Sequence, residues 1–157
     1  MQLTSAEFQA GTEIPSRYTS DGENVSPELS WKDAPHDTKS FALVVHDPDA
    51  PRPGGFTHWV VYNIGPGCGH IDEAAPVGEK IKAVGLQGKN EAGKLGYVGP
   101  APPSGVHRYF FRLYALDCML DLAPAASFTD VEAALKGHVL AQAELMGTYE
   151  KKSQRAA

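Results

Sequence analysis

Cysteine is scarce. Only Cys68 and Cys118 occur among the 157 residues, so a disulfide framework is excluded as the basis of the fold. One bond between them stays open, but nothing in their spacing demands it. The expectation is a cytoplasmic protein with both thiols reduced. Long apolar runs are missing as well. FALVV at 41–45 and WVVYNI at 59–64 are the longest near-apolar stretches, far short of the roughly 20 residues that a membrane-spanning helix needs. The opening MQLTSAEFQAGTEIP has neither a basic leader nor an apolar core, so it does not read as a signal peptide. Positive charge is also in deficit. With 14 Lys+Arg against 19 Asp+Glu, the net charge is −5, which argues against a nucleic-acid partner. The lysines near 80–94 are interrupted by Gly, Asn and Glu and read as a solvated face. No basic amphipathic helix offers a membrane-surface anchor, so neither bulk nor integral membrane association is expected.

Catalytic fingerprints are equally thin. There is no Gly-x-Ser-x-Gly elbow, no phosphate-binding loop and no dinucleotide fingerprint; Gly65-Pro-Gly67 and Gly85 to Gly88 read as turns. Ser104 is near His107 in sequence, yet strand geometry gives no reason to pair them. None of the usual metal-ligand spacings is present. The expectation is therefore a protein without cofactor or metal, and not an enzyme. No repeat, heptad or linker divides the chain. Residues 1–157 read as one domain, long enough for an ordinary core, with 151–157 as a polar tail that should fray.

What is present is punctuation and short apolar pieces. Sixteen glycines and twelve prolines without a period fit an all-β body with irregular loops. Phe41 to His46 predicts a buried strand, stopped by Asp47-Pro48. Thr57 to Ile64 predicts the next, with His58, Val60, Tyr62 and Ile64 on one face and Trp59, Val61 and Asn63 on the other. Arg108 to Leu116 is the clearest strand: Tyr109, Phe111, Leu113 and Ala115 alternate with Arg108, Phe110, Arg112 and Tyr114. Bulk on both faces predicts a sandwich whose sheets are covered on both sides. Near the C-terminus, Thr129-Asp-Val-Glu132 resembles a capping box. Val131, Leu135 and Val139 then recur at helical spacing toward Leu145, with a break expected at Gly137 and a stop at Gly147.

Three segments could carry chemistry. In Asp47-Pro48-Asp49-Ala50-Pro51, the prolines stiffen the chain, and residues i and i+2 of an extended backbone face the same way. The segment could thus present two carboxylates together. Taken alone, it fits better a strand end where Asp side chains bond nearby N–H groups. His58 begins the strand after Gly54-Gly55. The loop Val98 to Val106 is stiffened by Pro100, Pro102 and Pro103 and delivers His107 to the start of a strand. Gly99 and Gly105 would permit close backbone approach to a ligand. Ala101, between prolines, keeps an N–H for an anion, and Arg108 reads as one half of a structural ion pair.

At these residues the chain closely resembles the phosphatidylethanolamine-binding protein family, also called Raf kinase inhibitor-like proteins. The resemblance rests on DPDAP at 47–51, FTHW at 56–59 and GPAPPSGVHRYFF at 99–111, with SPELSW at 26–31, TKSFALVV at 38–45 and GHVLAQAELMGTYE at 137–150 in support. The short loop from Pro51 to Phe56 looks like the bacterial branch. The resemblance implies a mainly β fold: a β-sandwich around a large antiparallel sheet with short helices, including a C-terminal helical segment. It implies a small pocket for phosphate, phosphorylethanolamine-like groups or small carboxylates such as acetate, and the absence of an identifiable nucleophile or metal-ligand set favours a non-catalytic binding module. By motif, that pocket takes Asp47, Asp49, His58, Tyr97, Ala101, Pro102, Pro103, His107 and Tyr109. The expected contacts are hydrogen bonds to the anion from both imidazoles, the Tyr109 hydroxyl and the Ala101 N–H, while the aspartates accept from the histidines and favour imidazolium. Bacterial relatives imply a homodimer. The alternatives are an inhibitor that presents a protein surface to a kinase or protease, and a small hydrolase using the His/Asp cluster.

Overall fold

Alternation of apolar side chains along three long strands sets the architecture. The computed structural model describes residues 1–154. In chain order these form β1 (Gln2–Thr4), β2 (Leu29–Lys32), β3 (Ser40–Asp47), β4 (Phe56–Ile64), β5 (His70–Ile71), β6 (Lys80–Ile81), β7 (Gly85–Gln87) and β8 (His107–Leu116), followed by α1 (Phe128–Leu135) and β9 (Val139–Tyr149). A six-stranded sheet has the order β6-β7-β4-β3-β8-β9, and a three-stranded sheet has the order β1-β2-β5. All pairings between these strands are antiparallel. This is the mainly β sandwich that the strand pattern predicts, with the large antiparallel sheet and short helix that the resemblance implies.

Both faces of the large sheet are covered. Phe41, Leu43 and Val45 of β3 and Tyr109, Phe111 and Leu113 of β8 pack toward Leu29, Trp31 and Ile71 of the small sheet. On the other face, Ala42, Val60 and Tyr62 meet Val131 and Leu135 of α1. Burying each of those two helical side chains contributes about 1.5–3 kcal/mol, which an eight-residue helix needs because so short a helix is marginal by itself. The loop before α1 is pinned by a reciprocal pair. Asn63 Nδ2 donates to the Leu120 carbonyl (2.9 Å), and the Leu120 N–H donates back to Asn63 Oδ1 (2.7 Å).

Several sequence expectations are corrected. The C-terminal helical segment is real but ends at Leu135, and the residues expected to continue it toward Leu145 form β9. Gly137, at φ +82°, turns the chain out of the helix. From Ala143 onward the burial period is two, with Ala143, Leu145, Gly147 and Tyr149 inward. The spacing of Val131, Leu135 and Val139 mimics a helix only because Val139 opens the next strand. The helix cap is Ser127, whose Oγ accepts from the Asp130 N–H, and not Thr129. Ile64 packs with Trp59 and Val61, not with Val60 and Tyr62, because Asn63 at φ 51° interrupts the alternation.

The two cysteines are free, and the lysines at 80, 82, 89 and 94 are exposed as expected. Of the tail at 151–157, the Lys152 N–H is tethered to Asp21 Oδ2 (3.0 Å), and Lys152–Gln154 form a 3-10 turn. Residues 155–157 lie outside the described residues. Among the described residues, no helix is long and apolar enough to cross a membrane.

Candidate ligand-binding site

The C-terminal end of β3 and the N-terminal end of β8 lie side by side, and a β-bulge in β4 brings in a third element. Val45 pairs with Trp59 and His46 with Thr57, so His58 is the extra residue. A bulge re-aims a side chain. Here it corrects the expected alternation: His58 leaves the Val60/Tyr62 face and lies edge-on to Tyr109, with ring centroids 5.3 Å apart.

The two aspartates of DPDAP part company. Asp47 is buried at 2% exposure, and both its oxygens are used. Oδ1 accepts from the Asp49 N–H (2.7 Å), the strand-end turn the sequence favoured, while Oδ2 lies 2.7 Å from Nδ1 of His107. In the hydrogen bond between them Nδ1–H of His107 donates to the carboxylate, which leaves Nε2 as the ring's other polar atom. Asp49 turns outward. Its carboxylate accepts from the Arg108 N–H, Nε and Nη2, each at 2.9 Å. That fork holds the Asp49 carboxyl at about 2, well below its ordinary range. Arg108 is the structural ion pair the sequence suggested, and it clamps the 47–51 turn to β8.

His58 behaves differently from His107. Its Nδ1 lies 2.7 Å from the Val98 carbonyl, which can only accept. Nδ1 therefore carries the proton, and Nε2 has the lone pair in the neutral ring. Burial pushes the His58 pKa down, outweighing the Val98 hydrogen bond and the carboxylates of Asp47 and Glu91. The expectation that the aspartates hold both histidines as imidazolium is thus corrected for His58: its partner is a backbone carbonyl, and its charge is disfavoured.

A cavity of about 230 Å³ opens between these groups. Asp47, Arg52, His58, His107 and Tyr109 supply its polar side chains, and Ala101, Pro102 and Pro103 form one wall. Among the described residues, the buried Tyr109 hydroxyl has no hydrogen-bond partner. Two expected members do not line the cavity. Asp49 is engaged by Arg108 as above. Tyr97 packs edge-on to Trp59 and donates its hydroxyl to the Tyr18 carbonyl (2.6 Å), so it supports the wall from behind. Gly99 lines the cavity, as a loop glycine open to close approach would, and its backbone is also packed tightly against protein. A side chain there would meet the Tyr18 carbonyl and the Asn24 amide oxygen.

Sequence reasoning missed the rim. Ala50, Pro51, Arg52, Phe56 and Val98 also line the cavity. Arg52 is held by Glu91 (Nη2–Oε2, 3.1 Å), with its guanidinium 5.5 Å from the centre of the Phe56 ring. Glu91 also accepts from the Thr57 N–H (2.9 Å), which ties that rim to β4. A basic residue flanked by prolines beside DPDAP was the available signal.

A buried His–Asp pair thus lies beside a proline-walled cavity on a sandwich scaffold. Residues 4–150 match the family described as phosphatidylethanolamine-binding protein, and the chain belongs to that family. A UPF0098 protein of Methanothermobacter thermautotrophicus is 52% identical over 96% of this chain and 99% of its own length. A UPF0098 protein of Aquifex aeolicus is 46% identical, over 96% and 89%. Among solved structures, the putative phosphatidylethanolamine-binding protein homolog CT736 of Chlamydia trachomatis superposes with a TM-score of 0.88 at 42% identity, covering 96% of this chain and 97% of its own. E. coli YbcL, described as a member of the mammalian family, gives 0.88 at 33% identity, covering 96% and 98%.

Proposed function

We propose that this chain is a non-catalytic binding module whose cavity takes a phosphate, phosphorylethanolamine-like or carboxylate group. The observation that carries the reading is an unused donor on a cavity-lining residue: of the two buried groups without a partner among the described residues, Trp31 Nε1 lies away from the cavity and the Tyr109 hydroxyl belongs to a residue of its lining. Tyr109 has a buried hydroxyl without a partner, and an unsatisfied buried donor costs about 1–3 kcal/mol that an incoming oxygen recovers. His107, another residue of the lining, has its Nδ1 engaged by Asp47 and offers Nε2. Affinity for the anion is expected to fall as pH rises. His58 offers a lone pair, which suits a ligand carrying its own hydrogen, either a protonated phosphate oxygen or an ammonium. Asp47 points the same way. A group with both O⁻ and O–H or N–H⁺ therefore matches the lining better than a bare dianion.

No serine, threonine, cysteine or lysine lines the cavity among the described residues, which supports binding over hydrolysis. The volume is below the roughly 300–1,000 Å³ of pockets for drug-sized ligands and suits a headgroup-sized fragment. The test is calorimetric titration of inorganic phosphate, O-phosphorylethanolamine and acetate into wild type and His107→Ala at two pH values, with metal chelated. Saturable binding that weakens at the higher pH and is lost in the variant is expected. No binding in wild type, or turnover of the phosphoester, overturns the reading.

A further inference from the structure

At the far end of β8, about 30 Å from His107 along ten strand residues, three side chains of different chemistry meet. Asp117 and Cys118 follow β8, and His138 immediately precedes β9. The Asp117 N–H donates to the His138 carbonyl (3.0 Å), continuing the ladder beyond the Leu116–Val139 pair. Ser40 Oγ donates to the Cys118 carbonyl (2.6 Å), which fixes the backbone of the third residue. On that frame a carboxylate oxygen of Asp117, Sγ of Cys118 and a ring nitrogen of His138 all lie within 4.8 Å of one another.

We propose that Asp117, Cys118 and His138 form a binding site for one zinc-class divalent cation, with three protein ligands and a fourth position for water. Magnesium and calcium take oxygen ligands, whereas a mixed set of thiolate, imidazole and carboxylate suits zinc, cobalt or nickel. In a tetrahedral site with bonds of about 2.0–2.1 Å, nitrogen and oxygen ligands sit about 3.3 Å apart. His138 Nδ1 and Asp117 Oδ1 are 2.8 Å apart, bridged by a proton. A cation that replaces that proton separates them by about half an ångström, within the reach of side-chain rotation. Both side chains are about half exposed, at 46% and 47%, so the cation has a path in from solvent. Once bound, it cross-links the end of β8 to the start of β9.

The test uses the reduced full chain, freed of metal and titrated with cobalt(II). A thiolate-to-cobalt charge-transfer band in the near ultraviolet, with the visible bands of tetrahedral cobalt, should saturate at one equivalent and be displaced by zinc. Cys118→Ala should abolish the charge-transfer band, and His138→Ala should lower affinity by roughly tenfold or more. Cys68→Ala should leave both unchanged, because the other free thiol is not part of the cluster. Zinc should raise the unfolding midpoint of wild type and Cys68→Ala but not of Cys118→Ala. Phosphate binding in the β3–β8 cavity should be untouched by Cys118→Ala, which keeps the two sites separable. A wild type with no charge-transfer band at saturating cobalt, or a band that survives in Cys118→Ala, overturns the site.

Discussion

Oδ2 of Asp47 lies 2.7 Å from Nδ1 of His107, whereas the carboxylate two residues on, Asp49, faces the opposite way into the guanidinium of Arg108. The two acids of one five-residue motif thus have separate tasks. Asp47→Ala should leave His107 without its buried acceptor, lower stability by about 3 kcal/mol and abolish anion binding. Asp49→Ala breaks a solvent-exposed pair, so it should cost about 1 kcal/mol or less and change affinity no more than about twofold. Denaturant unfolding and calorimetry on the two variants check this. Equal effects would contradict the division.

Tyr109→Phe separates binding from stability. The hydroxyl has no partner among the described residues, so its removal should hold or raise the unfolding free energy. Affinity for phosphate should fall by about five- to fifteenfold, the equivalent of one hydrogen bond of about 1–1.5 kcal/mol. A variant that binds as wild type does would exclude Tyr109 from the contact set.

His58 imposes a pH slope on stability. Burial holds its folded-state pKa below the ordinary value of 6.5, so on acidification the unfolded chain takes up this proton first. The stabilisation from the neutral ring is complete above about pH 6.5 and is lost as pH falls below it. Urea midpoints between pH 5 and 8 should rise with pH in wild type. The slope should be shallower in His58→Gln, and identical slopes would refute the assignment.

Gly147 reports on β9. A methyl group there would come within 2.5 Å of Ile14 Cγ1 and 2.8 Å of a Phe8 ring carbon, because the N-terminal segment runs alongside the strand and is hydrogen-bonded to it at Met146 and Thr148. Gly147→Ala should therefore cost about 1–3 kcal/mol by overpacking, as read from thermal or denaturant unfolding.

The sequence by itself determined the three long strands and the sandwich with both faces covered, because these rest on local alternation. The cavity residues are named by the resemblance carried in DPDAP, FTHW and GPAPPSGVHRYFF, and the structure brings all of them but Asp49 and Tyr97 to the cavity lining. Only the tertiary structure decided the rest. The four-residue spacing of Val131, Leu135 and Val139 is compatible with a helix, and it was the ladder to β8 that made the last of them a strand residue. Alternation placed His58 on the Val60 face, whereas the extra residue opposite Val45 and His46 turned it to Tyr109. Asp47 and Asp49 are equivalent on an extended chain. What distinguishes them is which partner lies across the sheet, His107 for one and Arg108 for the other, from positions sixty residues further along. The same holds for the meeting of Asp117 and Cys118 with His138, which no sequence spacing announces because two strand ends, not one local motif, bring them together.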